Sequence, residues 1–322
     1  VRIQRWFGQD KAKLMREFLK PLSIQLGYWL IYEIDDVLIG DEIPNYNMAK
    51  PFYEQKDTQD SIKEIMSLCD LITVTTQELA DIYIEKYNLP KDKFVIIPNY
   101  LPRWWAGDAF DFNYQMNLWK STRNKPRVAI ACSLNHFDIH NKNNGIDDFS
   151  HVVPWIDHHI QKGDIQFIFV GSVPKQLEKY IQTKQIEFQP PSDVLNYMRE
   201  LKLRKIDLLI APLLDNRFNQ CKSNIKWIEC SAQGIPMAGQ NMCTYNKYTN
   251  MLFNDGNDLE NIVTDLFWKY NSEQKYADLI KLNKNIIDNG NELAPNGYWM
   301  EKNVAQYINL YSMPPKSVEL KF

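Results

Sequence analysis

No apolar run in this sequence of 322 residues approaches the roughly 20 residues that a membrane-spanning helix needs; the longest, Val128–Cys132 and Ile206–Leu214, are strand-sized. Excess charge of one sign is also missing. The 37 basic and 40 acidic residues leave a formal charge of −3, so no global basic field draws in nucleic acid or anionic lipid, and such a contact needs a local patch. Cysteine is sparse and odd in number: Cys69, Cys132, Cys221, Cys230 and Cys243, with no CxxC or Cys/His cluster at zinc spacing. That pattern reads as a reducing compartment with free, mostly buried thiols, hence a cytoplasmic protein. The five histidines give no metal pattern either, and the adjacent His158 and His159 would diverge on a helix. There is no internal repeat and no low-complexity tract, although Asn, Lys and Ile are over-used as in AT-rich coding sequence. The first residues do not read as a secretory leader. Val1–Phe7 reads as a strand already under way, so upstream residues are expected to be missing.

What is present fits a globular protein. The chain is 44% hydrophobic and 24% charged, and its length suits two domains of roughly 100–200 residues. Short apolar runs recur at Tyr28–Ile34, Leu71–Thr75, Phe94–Pro98, Arg127–Ser133, Ile165–Gly171, Ile186–Gln189 and Ile206–Leu213. They are continuous rather than alternating, as strands covered on both faces of a parallel sheet must be. Helical patterns lie between them: Lys11–Leu26, Thr58–Leu68, Gln77–Tyr87, Gly145–Gln161, Asp193–Leu201 and Lys222–Ala232. The alternation predicts an α/β fold with parallel sheets. Beyond about Asp258 the pattern is all helix: Leu259–Tyr270, Glu273–Asn285 and Tyr298–Tyr311. The polar, proline-flanked stretch Pro102–Pro126 is the best boundary. The reading is a first α/β domain at 1–120 with about three strands, a second at 121–295, and a terminal helix and tail at 296–322 whose apolar stripe could pack across both.

The richest chemistry lies between Ile206 and Tyr245. An apolar strand runs into the polar loop Leu214–Gln220, then a helix, then Gly234 as a C-terminal cap. Ligands bind beyond the carboxyl ends of strands in open α/β sheets, which puts this loop and the helix start at the ligand position. Lys222, Lys226 and Glu229 stand at i, i+4 and i+7 and would share a helix face. A cation beside the free N–H groups of a helix start suits a phosphate, and Glu229 suits a ribose or sugar diol. The competing reading is a solvated face with a Lys226–Glu229 ion pair worth under about 1 kcal/mol.

The string from Ala211 to Pro236, APLLDNRFNQCKSNIKWIECSAQGIP, resembles the nucleotide-binding segment of GT-B glycosyltransferases, close to glycosyltransferase family 4 of phage and bacterial type. YEIDDVL at Tyr32–Leu38, CDLITVTTQEL at Cys69–Leu79 and VIIPNY at Val95–Tyr100 resemble further family segments in the same order. The resemblance spans most of residues 28 to 250 and implies two Rossmann-like domains facing a cleft. It also implies retaining, metal-independent transfer of a hexosyl or pentosyl group from a UDP- or GDP-sugar, the co-substrate, to an acceptor hydroxyl, with no further cofactor. By that resemblance Lys222 and Lys226 neutralise the leaving diphosphate and Glu229 holds the ribose. One position departs: where the family carries an earlier glutamate, this chain has Cys221, so Asp215, Asn219 or Ser223 would have to stand in.

Leu134–Asn144 resembles the family's loop under the diphosphate but has no glycine; Ser133 and His136 are its candidate donors to phosphate or sugar. Asp147 and Asp148 read as the first turn of the next helix. Asp35, at the end of a strand with Asp36, is the candidate for orienting an acceptor hydroxyl; the pair is not the spaced DxD metal motif of GT-A enzymes. Arg103, Trp104 and Trp105 could stack a sugar or base or simply pack as linker. The acceptor is open between a glycan, a lipid-linked sugar, a protein and a hydroxymethylated base in phage DNA, the last implying a virus-infected host cell. For DNA, the basic residues Arg2, Arg5, Lys11, Lys13, Arg16 and Lys20 are the candidate patch, or an ordinary solvated face. A non-catalytic GT-B-like module and a sugar-nucleotide epimerase are the rivals.

Overall fold

A computed structural model describes residues 1–106 and 110–313, with side chains except those of Ala106, Tyr307 and Tyr311. Two wholly parallel sheets form. The first has the order β1-β2-β3-β4, with β1 at Arg2–Gln4, β2 at Ile31–Glu33, β3 at Leu71–Val74 and β4 at Phe94–Ile96. Ile31 stands opposite Leu71, and Ile72 opposite Phe94. The second has the order β10-β9-β8-β5-β6-β7, with β5 at Arg127–Cys132, β6 at Gln166–Gly171, β7 at Glu187–Gln189, β8 at Leu208–Ala211, β9 at Met237–Gln240 and β10 at Leu252–Phe253. The fold class is the expected α/β with two parallel sheets and a helical C-terminal segment. β1 falls within the strand read at Val1–Phe7 and joins the three others of the first half; the two-residue edge strand β10 is too short to leave a pattern in the sequence.

The continuous apolar runs have a direct cause. In the second sheet Val128, Ile130, Phe167, Phe169, Leu208 and Ile210 enter one core, while the alternate residues Ala129, Ile168, Val170, Leu209 and Ala211 enter another on the opposite face. Both faces are covered by helices, so successive side chains are all apolar. The first sheet buries Ile3, Tyr32, Ile72 and Val74 in a core that also takes in Phe218 and Cys221 from the loop after β8.

Three local readings need correction. The helix read from Gly145 begins at Val153, with proline in its first turn; Asp147 and Asp148 lie in the preceding turns. The helix read as Lys222–Ala232 begins only at Ile225, and the loop read as Leu214–Gln220 contains a short helix, Arg217–Gln220, with Lys222 in the elbow between the two. Asn216 caps that short helix by accepting the Asn219 N–H at 2.9 Å. The supposed linker contains a helix, Phe112–Thr122, capped by Asp111 and anchored by fully buried Trp119 on the second sheet's core. Position 120 therefore falls inside an element of the second lobe. Gly234 has φ +74 just past the helix end, the left-handed conformation its capping role requires.

The last helix, Met300–Tyr311, touches both lobes. Trp299 before it packs in the second core, and Leu310 packs against Ile31 and Ile97 of the first sheet. Leu101, between the lobes, exchanges backbone hydrogen bonds with Tyr298 and Met300 at 2.9 Å each.

Candidate functional site

The strand order reverses at β5 and β8, and a cleft of about 1050 Å³ opens beyond the carboxyl ends of β5, β6 and β7. Ser133 and His136 line it from the loop after β5, Gly171 from the end of β6, Phe188 from β7, and Tyr197 and Lys226 from flanking helices; Met48 reaches it from the first lobe. Gly171 has φ +96, and a Cβ there would run into the carbonyl oxygen of Cys132, so the two strand ends approach as only glycine permits. Burial pushes the Cys132 thiol up to about 12, leaving it neutral in the wall.

Asp148 is the hub of the site. It is fully buried. Its Oδ1 accepts from the Tyr46 hydroxyl at 2.7 Å, the Leu214 N–H at 2.8 Å and the Asn219 amide at 2.7 Å, and its Oδ2 faces His136 Nδ1 at 2.7 Å. Burial alone would raise its pKa, but the His136 hydrogen bond, the Lys222 charge and the Leu214 N–H together hold it below the ordinary carboxylate value. Since a carboxylate only accepts, Nδ1 of His136 carries the proton and Nε2 keeps its lone pair. Burial, then the Lys222 charge, press the imidazole below its ordinary pKa against the pull of Asp148, so it is neutral at neutral pH. A neutral histidine offering a lone pair accepts from a hydroxyl and suits a phosphate poorly.

Lys222 lies near the same hub. Burial lowers its pKa, with the charges of Asp148 and Asp36 opposing. The ammonium lies 5.1 Å from the Phe218 ring centroid, and no ion pair or hydrogen bond of it is found among the described residues. Nearby, the helix Ile225–Ala232 starts at Asn224 without a side-chain cap. Lys226 is differently placed. Its ammonium donates to the Tyr197 hydroxyl at 2.7 Å and to Glu229 at 3.1 Å, and Tyr197 in turn donates to Glu229 at 3.1 Å. Burial disfavours its charge, but Glu229 and Tyr197 outweigh that and hold its pKa well above the ordinary value. Glu229 is only 6% exposed, so the Lys226–Glu229 pair is not a solvated face; it forms a triad with Tyr197, and Tyr197 and Lys226 line the cleft.

The remaining sequence candidates divide. Ser133 lines the cleft. The Ser223 hydroxyl accepts from Asn99 at 2.6 Å, bridging the lobes next to Lys222. Asn219 spends its amide N–H groups on Asp148, Tyr46 and the Leu214 carbonyl, which makes it a strut. Asp35 meets Arg5 at 2.5 Å and stays half exposed; it is Asp36 whose charge acts on Lys222. Cys221 is buried in the first lobe's core, its thiol 3.4 Å from the Glu78 carbonyl. Trp105 donates to the Val194 carbonyl at 2.6 Å and Arg103 stacks on Trp299 at 4.6 Å, a packing role, while Trp104 is 72% exposed. Arg2, Arg5, Lys13, Arg16 and Lys20 are each paired with a carboxylate, and the Lys11 ammonium lies 6.0 Å from the Trp6 ring centroid. Tyr46 and Tyr197 gave no signal in sequence. Asp148 was visible only as a helix-start acid.

Solved structures share this architecture. HepE of Anabaena in complex with UDP-glucose superposes with a TM-score of 0.55 at 13% identity, over 94% of this chain and 77% of that one. WaaG, a glycosyltransferase involved in lipopolysaccharide biosynthesis, gives 0.52 at 12% identity over 88% and 75%. A glycosyltransferase from Rickettsia africae gives 0.51 at 12% identity over 94% and 80%. The fold is GT-B. At such identities the likeness concerns architecture alone. No protein-family model matches the chain, and neither does any curated protein sequence. The described part of this GT-B chain has no helix long and apolar enough to cross a membrane.

Proposed function

We propose that this chain is a nucleotide-sugar-dependent glycosyltransferase of the family 4 type. It would move a hexosyl or pentosyl group from a UDP- or GDP-sugar to an acceptor hydroxyl in the cytoplasm, with retention and without a metal ion. The second lobe, from the helix Phe112–Thr122 onward, binds the donor and the first lobe faces the acceptor. The observation that carries the reading is the Lys222 ammonium, which has no ion pair or hydrogen bond among the described residues and stands in the elbow before an uncapped helix start, close enough to Asp148 and to the cleft-lining His136 for its charge to act on both. Removing a cation from water without a direct partner is costly, and an anionic ligand offsets that cost. On this reading Lys222 neutralises the leaving diphosphate where charge develops in the transition state. The Lys226–Tyr197–Glu229 triad offers its carboxylate to the ribose. Ser133 and His136 Nε2 meet donor hydroxyls, and Asp35 orients the acceptor. That HepE binds UDP-glucose in the same fold supports a nucleotide-sugar donor.

Calorimetry with a panel of UDP- and GDP-sugars on wild type and Lys222→Ala tests this. One donor bound by wild type and weakened roughly 10- to 100-fold in the variant, the range for a charge-assisted contact, is expected. Equal affinity in both removes Lys222 from the site. The burial of Cys221, where the family carries a glutamate, favours a second reading, a non-catalytic GT-B-like module; donor binding without transfer or hydrolysis would select it. Conversion of the donor sugar without acceptor would select an epimerase.

A further inference from the structure

The cleft is not the same along its length. Lys222 and the loop bearing Ser133 and His136 follow β8 and β5 in the middle of the sheet, whereas β6 and then β7 lead to its edge. With the diphosphate at Lys222 and the ribose at Glu229, the β6–β7 end is left for the base of the nucleotide. Its walls are apolar: Val173 after β6, Ile181 from the helix Lys179–Gln182, Phe188 of β7 and Pro191 in the turn that follows. An apolar slot with an aromatic ring takes any base by stacking, so these walls make no choice among bases.

The choice lies with the polar groups at that end. Glu178 and Gln182 line it and both are exposed, so their side chains are open to a ligand. Glu178 is the one carboxylate among the described residues lining the cleft, and no ion pair or side-chain hydrogen bond of it is found among the described residues. The carboxylate of Asp193 nearby in the chain is spent, accepting the Leu195 and Asn196 N–H groups at 3.0 Å each as a helix cap. Pro190 and Pro191 remove two backbone N–H donors from the turn after β7 and leave their carbonyls. This end is therefore rich in acceptors and poor in donors, with the Gln182 amide as an exposed donor.

The bases differ in what they ask of such a rim. Along its pairing edge uracil presents acceptor, donor, acceptor, so most of its groups would face acceptors. Cytosine and adenine each place a lone pair beside their amino group. Guanine presents two adjacent donors, N1–H and the 2-amino group, which match the two oxygens of one carboxylate, and its remaining acceptor, O6, suits an amide N–H. We propose that the cleft selects guanine, with Glu178 as the specificity-determining residue, so that the donor is a GDP-sugar rather than a UDP-sugar. The inference rests on the glycosyltransferase reading and decides between the two nucleotides that reading leaves open.

Calorimetry on the full chain with GDP, UDP and inosine diphosphate, which is GDP without the 2-amino group, tests this. Wild type should bind GDP about tenfold or more tighter than either of the others, the range for a hydrogen bond to a charged group. Glu178→Gln keeps the size of the side chain but turns one acceptor into a donor. It should lose about tenfold or more for GDP, stay within about twofold for UDP, and separate GDP from inosine diphosphate by no more than about twofold. Its melting temperature should equal that of wild type, because the side chain is exposed. UDP bound as tightly as GDP, or tighter, overturns the proposal and leaves the transferase reading standing, as does equal GDP affinity in wild type and Glu178→Gln. Should that variant prove unstable, wild type decides alone: equal affinity for GDP and inosine diphosphate overturns the proposal. Binding of none of the three overturns the transferase reading, and the guanine site with it.

Discussion

Tyr46 and Asp148, 102 residues apart in the chain, are joined by a 2.7 Å hydrogen bond that ties the first lobe to the second. The bond ends on the same carboxylate that holds His136, so contact between the lobes and the state of the cleft share one buried group. Tyr46→Phe removes one of four donors to Asp148 and nothing from the apolar packing. A loss of about 1–2 kcal/mol is expected, read as a lower urea midpoint with an unchanged slope. An unmoved midpoint would mean the lobes are held by other contacts.

The His136 imidazole has a folded pKa below its unfolded value, burial being the main cause and Lys222 the second. The unfolded chain therefore binds a proton first as pH falls. Stability from this group is complete above about pH 6.5 and declines as pH drops through and below that value. Asp148, also depressed, adds a further loss only below about pH 4. Between pH 7 and 5, His136→Gln should lose less stability than wild type. Parallel profiles for the two proteins would contradict the assignment.

Removal of Glu229 is expected to weaken the fold. Glu229→Ala strands the Lys226 ammonium and the Tyr197 hydroxyl on the cleft wall, and a loss of about 1–3 kcal/mol is expected, reduced from the fully buried case because Lys226 keeps some access to water. Glu229→Gln, which can still accept both hydrogen bonds, should lose less. Denaturant unfolding of the two variants checks the order.

Gly171→Ala and Gly145→Ala separate backbone conformation from crowding. Both glycines have positive φ, but a Cβ at 145 meets nothing within 4 Å while one at 171 collides with the Cys132 carbonyl. Gly145→Ala should cost about 1 kcal/mol. Gly171→Ala should cost about 2–4 kcal/mol, because β5 and β6 must move apart at the cleft wall. Equal costs would mean the strand ends are free to separate.

Much of the fold was legible because it rests on local pattern. Seven apolar runs and the helix Gln77–Tyr87 fall where the sequence put them, since two buried faces demand uninterrupted apolar residues and Thr76 caps that helix by accepting the Leu79 N–H at 3.1 Å. The site was only half legible. Lys222, Lys226 and Glu229 could be named from one segment, yet Lys222 does not share the helix face of the other two, because the chain turns at the elbow between Gln220 and Ile225 and leaves Lys226 bonded to Tyr197 and Glu229 and Lys222 with no such bond among the described residues.

By itself the sequence determined the parallel α/β architecture, the absence of a global basic field and the segment where a cation and a carboxylate meet a strand's carboxyl end. Only the tertiary structure decided which groups are paired. Glu229 is bonded to Tyr197 and Lys226, Asp148 is satisfied from four directions, Arg2 and Arg5 are spent on Glu33 and Asp35, and Lys222 has no ion pair or hydrogen bond among the described residues. Pairing of buried charge depends on distances of a few ångströms between loops far apart in the chain, and no periodicity in the sequence records those distances.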